Sequence, residues 1–275
     1  MKIIVLAENT AQKKEIKAEH GLSLYIETGK FKILFDMGQS NKFVENAEHM
    51  GIDLSQVDFA VLSHGHYDHG GGLKYFLEMN HKAPIYINKY AFEPHFNAEN
   101  KDIGLDKALL SNGRLIFVED KKEIVEDIVL YSCNDREKRV GMDCSGLKMV
   151  EGEKLVPEDF RHEQYLLICE NDKKVLISGC SHKGILNIVE WFQPDVLVAG
   201  FHFMKMNIEG EDKKKLSEAA EKLMKYPTKY YTGHCTGLEQ YEFMKRIMGS
   251  RLKYLSAGQN AEIKTLSKIA IIKKI

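Results

Sequence analysis

The chain lacks an excess of either charge: 39 basic residues stand against 40 acidic ones, a formal net charge of −1. Without an overall field, no nucleic-acid partner and no membrane surface is expected. Long apolar runs are missing as well. None approaches the roughly 18 residues of a membrane span, and residues 1–6 form a short β-like run without a signal-peptide cleavage pattern. Cysteines are few and odd in number, five with no regular spacing, which argues against a disulfide framework. There is no low-complexity tract and no short-period repeat. These absences point to a soluble cytoplasmic protein with reduced thiols. At 275 residues and 44% apolar content, one domain with a substantial core is expected over the whole chain.

What is present is a concentration of histidine. Residues 63–72 read S-H-G-H-Y-D-H-G-G-G, with His64, His66, Asp68 and His69 inside six positions. The apolar run Phe59-Ala60-Val61-Leu62 precedes them, and three glycines with a helix-like stretch at 73–79 follow. The cluster therefore lies on a loop between a buried strand and a helix. The strand end fixes the first residue of that loop, which makes it a stiff mount for ligands. His64 and His66, two apart, can point toward one ion, and Asp68 and His69 can face a second beside it. Imidazole and carboxylate suit Zn²⁺, Fe or Mn²⁺, so one or two divalent ions are expected, zinc foremost.

Along the chain, residues 2–6 read as a strand and 9–20 as a loop. Strands at 22–28 and 31–35 join at Gly29-Lys30, and 40–50 read as a helix capped by Ser40 and stopped by Gly51. Strands follow at 85–88, 115–118 and 128–132. Residues 89–113 show no clear period, and 134–162 read as a long irregular connection. A second hairpin covers 165–169 and 175–178 across Asn171-Asp172. Then come a helix at 184–192, a strand at 196–199, an amphipathic helix at 213–225 and a strand at 229–232. A helix at 236–248, with Thr236 and Glu239 at capping-box spacing, and a strand at 252–255 complete the order, and the basic, apolar tail is a candidate for one more strand. Each half runs hairpin first, then helices and strands in alternation. That order predicts two sheets packed on each other with helices outside.

Four apolar runs end, within a few residues, at a histidine: those starting at Phe59, Val175, Val196 and Tyr230 lead to His64, His182, His202 and His234. Small residues (Ser63, Gly179 with Ser181, Gly200, Gly233) precede each imidazole. In a layered α/β fold the loops after strands gather on one edge. Four of the eleven histidines are therefore expected at a shared site.

The H-x-H-x-D-H pattern at His64, His66, Asp68 and His69 resembles the metal-binding loop of the metallo-β-lactamase superfamily, and the resemblance covers most of the chain. It implies an α/β fold of the metallo-β-lactamase-like αββα sandwich type. Gly179-Cys180-Ser181-His182 falls where the superfamily usually has Gly-Asp, whose aspartate bridges two metals. Here Cys180 takes its place and His182 lies two residues on. Either can ligate; His182 is preferred because imidazole is the commonest metal ligand. Gly233-His234 resembles the late Gly-His that supplies the last ligand, which assigns His234 to the second ion. Gly200-Phe201-His202 is extra to the general pattern and suggests a substrate-facing acid/base or oxyanion-stabilising residue. Asp36 resembles the early aspartate that fixes the tautomer of a ligand imidazole. Many members carry a further histidine ahead of the Gly-Asp. The candidate here is His162, and its charged neighbours Arg161 and Glu163 place it on the surface, leaving His182 to complete the first ion.

Gly-Cys-Ser-His, Gly-Phe-His and Gly-His-Cys-Thr-Gly together resemble one branch of the superfamily. That branch includes dihydropterin-ribofuranosylaminobenzene-phosphate synthases and metal-dependent hydrolases of unassigned substrate. It implies a small phosphate-bearing or pterin-like substrate, attacked by metal-activated hydroxide in a hydrolysis or a related transfer, with Asp68 orienting the water. Lys183 and Lys205 are candidates to meet a substrate phosphate, and Phe92 and Phe96 belong either to a lid or to core. A diiron oxidoreductase on the same fold resembles H-x-E-x-D-H instead and carries a flavin partner domain, for which no length remains. A nuclease would call for a basic surface or an inserted domain. A metal-binding sensor without turnover shares the ligands, and a turnover screen separates it.

Overall fold

Short apolar runs punctuated by turn residues build two large sheets. The computed structural model describes residues 1–141 and 145–263. In chain order the strands of the first part are β1 (Lys2–Ala7), β2 (Ser23–Glu27), β3 (Lys32–Phe35), β4 (Phe59–Val61), β5 (Ile85–Asn88), β6 (His95–Phe96) and β7 (Leu115–Val118). They are followed by β8 (Lys121–Val125), β9 (Ile128–Tyr131), β10 (Lys148–Glu151), β11 (Lys154–Pro157), β12 (Tyr165–Glu170) and β13 (Lys173–Ile177). The last are β14 (Val196–Val198), β15 (Lys229–Thr232), β16 (Leu252–Tyr254) and β17 (Asn260–Glu262). Among the described residues one sheet runs β17-β1-β2-β3-β4-β5-β7, a second runs β16-β15-β14-β13-β12-β9-β8, and a small third runs β11-β10-β6.

The period of two along each strand sorts residues between layers. In β3, Ile33 and Phe35 enter the layer between the two large sheets, and Leu34 turns outward. In β13, Val175 and Ile177 enter the same layer from the other side, and Leu176 turns outward. The outward residues of the first sheet pack with α1 (Lys42–His49) and α3 (Leu73–Met79), the latter preceded in the chain by the short α2 (Tyr67–Gly70) that carries Asp68 and His69. Those of the second pack with α4 (Ile185–Phe192), α5 (Gly210–Leu223) and α6 (Leu238–Met248). The result is the expected αββα sandwich. No helix among the described residues is long and apolar enough to cross a membrane.

Strand direction then positions the site. β3, β4 and β5 are mutually parallel, as are β13, β14, β15 and β16. The loops leaving β3, β4, β13, β14 and β15 carry Asp36, the histidine cluster, Cys180 with His182, His202 and His234.

Several expectations need correction. The stretch 134–162 is not wholly irregular: it contains the β10–β11 hairpin, which adds β6 as a third strand. Its strands are short and largely uncovered by core, so their apolar period is weak. β8 was not anticipated because it begins with charged residues at a sheet edge. Thr236 does not cap α6. Its Oγ1 accepts from Phe201 N at 2.8 Å and lies 2.5 Å from Thr232 Oγ1, tying two site loops together, and Gly237 stands at the helix N-terminus. Helix α1 begins two residues later than expected, though Ser40 Oγ still accepts from Lys42 N at 3.3 Å. At Asn171-Asp172 both residues have positive φ, 50° and 61°, as a tight type I′ hairpin requires. The tail strand expected near the C-terminus falls largely on 264–275, outside the described residues; β17 pairs with β1 just before it.

Candidate metal centre

Backbone geometry brings the ligand-type side chains together at close quarters. Gly65 lies between His64 and His66 because a Cβ there would sit 2.1 Å from the Ala91 carbonyl oxygen. Gly179 is needed because a Cβ would sit 2.3 Å from Ser63 Oγ. Four site residues that are not glycine adopt left-handed backbone: Asp36 (φ 59°), Ser181 (58°), His202 (58°) and His234 (49°). Such conformations cost about 1–3 kcal/mol each and persist only where the surroundings impose them.

One group gathers Asp68, His69 and His234. Asp68 Oδ2 is 3.3 Å from His234 Nε2 and 3.7 Å from His69 Nε2, and the two Nε2 atoms are 3.1 Å apart. Cys180 Sγ lies 3.2 Å from His69 Nε2. A second group gathers His64, His66 and His182, with 3.4 Å between the Nε2 atoms of His64 and His182. Cys180 also groups with His64 and His69, so it stands between the two sets. The structure thus brings both Cys180 and His182 to the site, His182 within the second group and Cys180 between the two.

The outer nitrogens of the imidazoles settle which inner nitrogens are free. A carboxylate only accepts, so His69 Nδ1, 2.6 Å from Asp36 Oδ2, is the donor. Asp36 Oδ2 also accepts from Ser63 Oγ at 2.7 Å, so Ser63 Oγ in turn accepts from His64 Nδ1 at 2.8 Å. Asn9 Oδ1 accepts from His234 Nδ1 at 2.8 Å. In their neutral forms His64, His69 and His234 therefore all turn an unprotonated Nε2 inward. Burial, helped by the imidazoles around it, holds the His64 pKa well below its usual value, and burial does the same for His182 beside His202. Converging lone pairs next to a carboxylate call for a cation. Burial alone would push the Asp68 carboxyl up, but His69, His20 and His234 outweigh it and keep it well below the usual range. Burial likewise lowers His234, yet Asp68 prevails and raises it to about 9, so a proton there occupies the place a divalent ion fits. The donor set of imidazole, carboxylate and thiol matches a divalent transition metal or zinc.

Outer contacts hold these loops in place. Asp36 is fully buried and its Oδ1 accepts from Ser63 N at 2.6 Å. Glu8 Oε1 accepts from His234 N at 2.6 Å and from Tyr254 Oη at 2.7 Å. Glu163 accepts from His182 N at 2.7 Å, Lys183 N at 3.0 Å and Tyr165 Oη at 2.6 Å. Phe160 stacks on the His182 ring at 4.4 Å.

Two expectations change. His162 is not a surface residue: it is 1% exposed, its Nδ1 accepts from Gly65 N at 2.8 Å and its Nε2 lies 2.8 Å from Glu158 Oε1. Its charged neighbours satisfy themselves elsewhere, Arg161 with Glu93 and Glu163 with the His182 loop. Lys183 is unavailable to a phosphate. It is fully buried, and its Nζ donates to Ser132 O, Asn134 Oδ1 and Glu163 O at 2.7, 2.8 and 3.1 Å. Phe92 packs in the outer core of the first sheet, while Phe96 lies half-buried on β6. Lys205, by contrast, is exposed and lines a cavity of about 400 Å³ together with His182, His202, Phe201 and Phe203. His202 is half-buried there, its ring 4.3 Å from that of His182, and its Nδ1 has no partner. Glu8, Asn9, His20, His95, Glu158 and Glu163 were missed, since each reaches the site from a distant segment with no local motif to mark it.

A fold of this kind with this cluster at the strand ends defines a class, and the comparison of sequences agrees: the metallo-beta-lactamase superfamily model matches residues 16–234. The chain belongs to that superfamily. Within it, an uncharacterized protein of Methanocaldococcus jannaschii is 33% identical over 211 residues, 74% of this chain and 79% of its own length. The 7,8-dihydropterin-6-methyl-4-(beta-D-ribofuranosyl)-aminobenzene-5'-phosphate synthase of the same organism is 27% identical over 286 aligned residues, 94% of this chain and 95% of that protein. A solved structure described as a metal-dependent hydrolase of the beta-lactamase superfamily is similar at 28% identity and a TM-score of 0.81, covering 96% of this chain and 99% of that one.

Proposed function

We propose that this chain works as a single-domain, cytoplasmic, metal-dependent hydrolase or related transferase. Its substrate is a small molecule of the phosphate-bearing or pterin-like kind, as the name of the synthase relative suggests. The observation that carries the reading is the convergence of the inward-facing Nε2 atoms of His64, His69 and His234, whose Nδ1 atoms are committed outward, beside the ionised Asp68. His64, His66 and His182 would hold one divalent ion and Asp68, His69 and His234 a second, with Cys180 between them. Zinc is favoured by the imidazole and thiol donors. When bound, such ions acidify water toward a pKa of about 7 and stabilise charge that develops on oxygen.

The chain's own residues then supply the rest. Asp36, Ser63 and Asn9 keep His69, His64 and His234 respectively in the tautomer that leaves Nε2 free. Asp68 is placed to orient the attacking water while it ligates. His202, at the wall of the cavity, is placed to move a proton to or from the substrate. Lys205 at the same cavity is suited to an anionic group. No serine or cysteine nucleophile is required.

The test is a panel of phosphodiesters, lactones, thioesters and pterin phosphates, assayed with metal-loaded protein. Turnover that disappears with chelator and with His202→Ala supports the reading. Stoichiometric metal with no turnover anywhere on the panel supports a sensor or binding module instead.

A further inference from the structure

His66 differs from its neighbours in which nitrogen it turns outward. His64, His69 and His234 bond their outer partners through Nδ1, but His66 faces a carboxylate with Nε2. That carboxylate is Glu158, which is 3% exposed and lies 92 residues away in sequence. Its Oε2 and Oε1 are 3.1 and 3.3 Å from His66 Nε2. His162 Nε2 is 2.8 Å from Oε1, and His95 Nδ1 lies 2.5 Å from the same oxygen, in contact but off the hydrogen-bond direction.

Donor counting decides what this arrangement does. The Gly65 N–H donates to His162 Nδ1, so neutral His162 carries its proton on Nε2 and gives it to Glu158. Glu158 can only accept, so His66 also carries its proton on Nε2. In the neutral ring that leaves Nδ1 as the one unprotonated nitrogen of His66. The frame that holds the carboxylate is the small third sheet. Glu158 directly follows β11, its N–H donates to Leu147 O at 3.0 Å just before β10, and β10 pairs with β6, which carries His95 opposite Met149.

We propose that Glu158 is a positioning residue, held by the three-stranded sheet and His162, that fixes the ring and tautomer of His66 for the first ion. The inference rests on the metal-centre reading above. It also argues against an ion within the His66, His95, Glu158 and His162 group, although their ligand atoms lie within 4.8 Å of one another, because His162 Nδ1 already accepts from Gly65 N and the Nε2 proton cannot move there to free a lone pair.

The experiment compares wild-type and Glu158→Gln full-length protein by competitive-chelator titration and by the visible spectrum of the Co²⁺-substituted form. The amide keeps the size of the carboxylate but offers its own N–H to imidazoles that also donate. The expected result is one ion weakened by about 10–100-fold, altered Co²⁺ bands for that ion alone, and unchanged far-ultraviolet circular dichroism. Should Glu158→Gln fail to fold, His95→Gln, which changes a ring packed against Glu158 and His162 but leaves the carboxylate in place, is expected to weaken the same ion by less. Two ions bound as in wild type, with an unaltered spectrum, in whichever of these variants folds, would overturn this inference alone. So would loss of a third ion with the first two untouched. A wild-type chain that takes up no ion overturns the metal-centre reading and this inference with it.

Discussion

The Nε2 atoms of His69 and His234 lie 3.1 Å apart, and in the neutral rings neither carries a proton. Each ring spends its only N–H outward, His69 on Asp36 and His234 on Asn9. Two lone pairs at that distance repel unless something positive lies between or beside them. A proton can do so for one pair; a divalent ion does so for both nitrogens and for the Asp68 carboxylate at once.

If this is the function of the rings, His66→Ala and His234→Ala will each lose metal and activity while the fold survives. The ligands sit on loops after the strands, and the apolar layer between the sheets does not include them. Metal content, turnover and circular dichroism check the claim. Unfolding of both variants would mean that the cluster is structural.

His182 and His202 lie side by side, ring centroids 4.3 Å apart, yet they should behave differently. His182 Nε2 faces His64, so His182→Ala should weaken metal binding by at least the roughly 10–100-fold typical of losing an outer partner. His202 faces the cavity, so His202→Ala should keep its metal and lose kcat by about 10²–10⁴-fold. The reverse pattern would exchange the two assignments.

Asp36→Asn removes the acceptor that keeps the His69 proton on Nδ1, while preserving side-chain volume. The expected outcome is a loss of about 10–100-fold in affinity for one ion, read by chelator competition. Unchanged affinity would show that Ser63 and the backbone orient His69 without the carboxylate.

Packing predicts a contrast between two glycines. Gly179→Ala would press a methyl against Ser63 and His64 and should cost about 1–3 kcal/mol. Gly113→Ala meets nothing within 4 Å and should leave stability unchanged. Chemical denaturation of the two variants tests this, and equal midpoints would contradict the close approach at Gly179.

Much of this arrangement was legible from residue order. The apolar runs ending at His64, His182, His202 and His234 mark strands β4, β13, β14 and β15, and β13 to β15 are parallel neighbours. Buried strands show as apolar runs because both their faces are covered. Asp36 was legible because it follows a strand directly. What could not be read were contacts that only the third dimension creates. Glu8 reaches His234 across 226 residues, and Glu158 reaches His66 across 92. His162 looked exposed because Arg161 and Glu163 flank it, but residues 160–163 form a turn, with Glu163 N donating to Phe160 O at 2.9 Å, that buries both His162 and Glu163. Lys183 looked like an anion ligand, and its burial under three acceptors could not be inferred from the loop that carries it.

The most direct test of the central claim is elemental analysis of protein purified without chelator, repeated after stripping and reconstitution with Zn²⁺, Mn²⁺ or Fe²⁺. Close to two divalent ions per chain, removed by chelator and restored on addition, is the predicted result. Less than about 0.2 ion per chain, not raised by adding metal, would contradict a site built from zinc-type ligands.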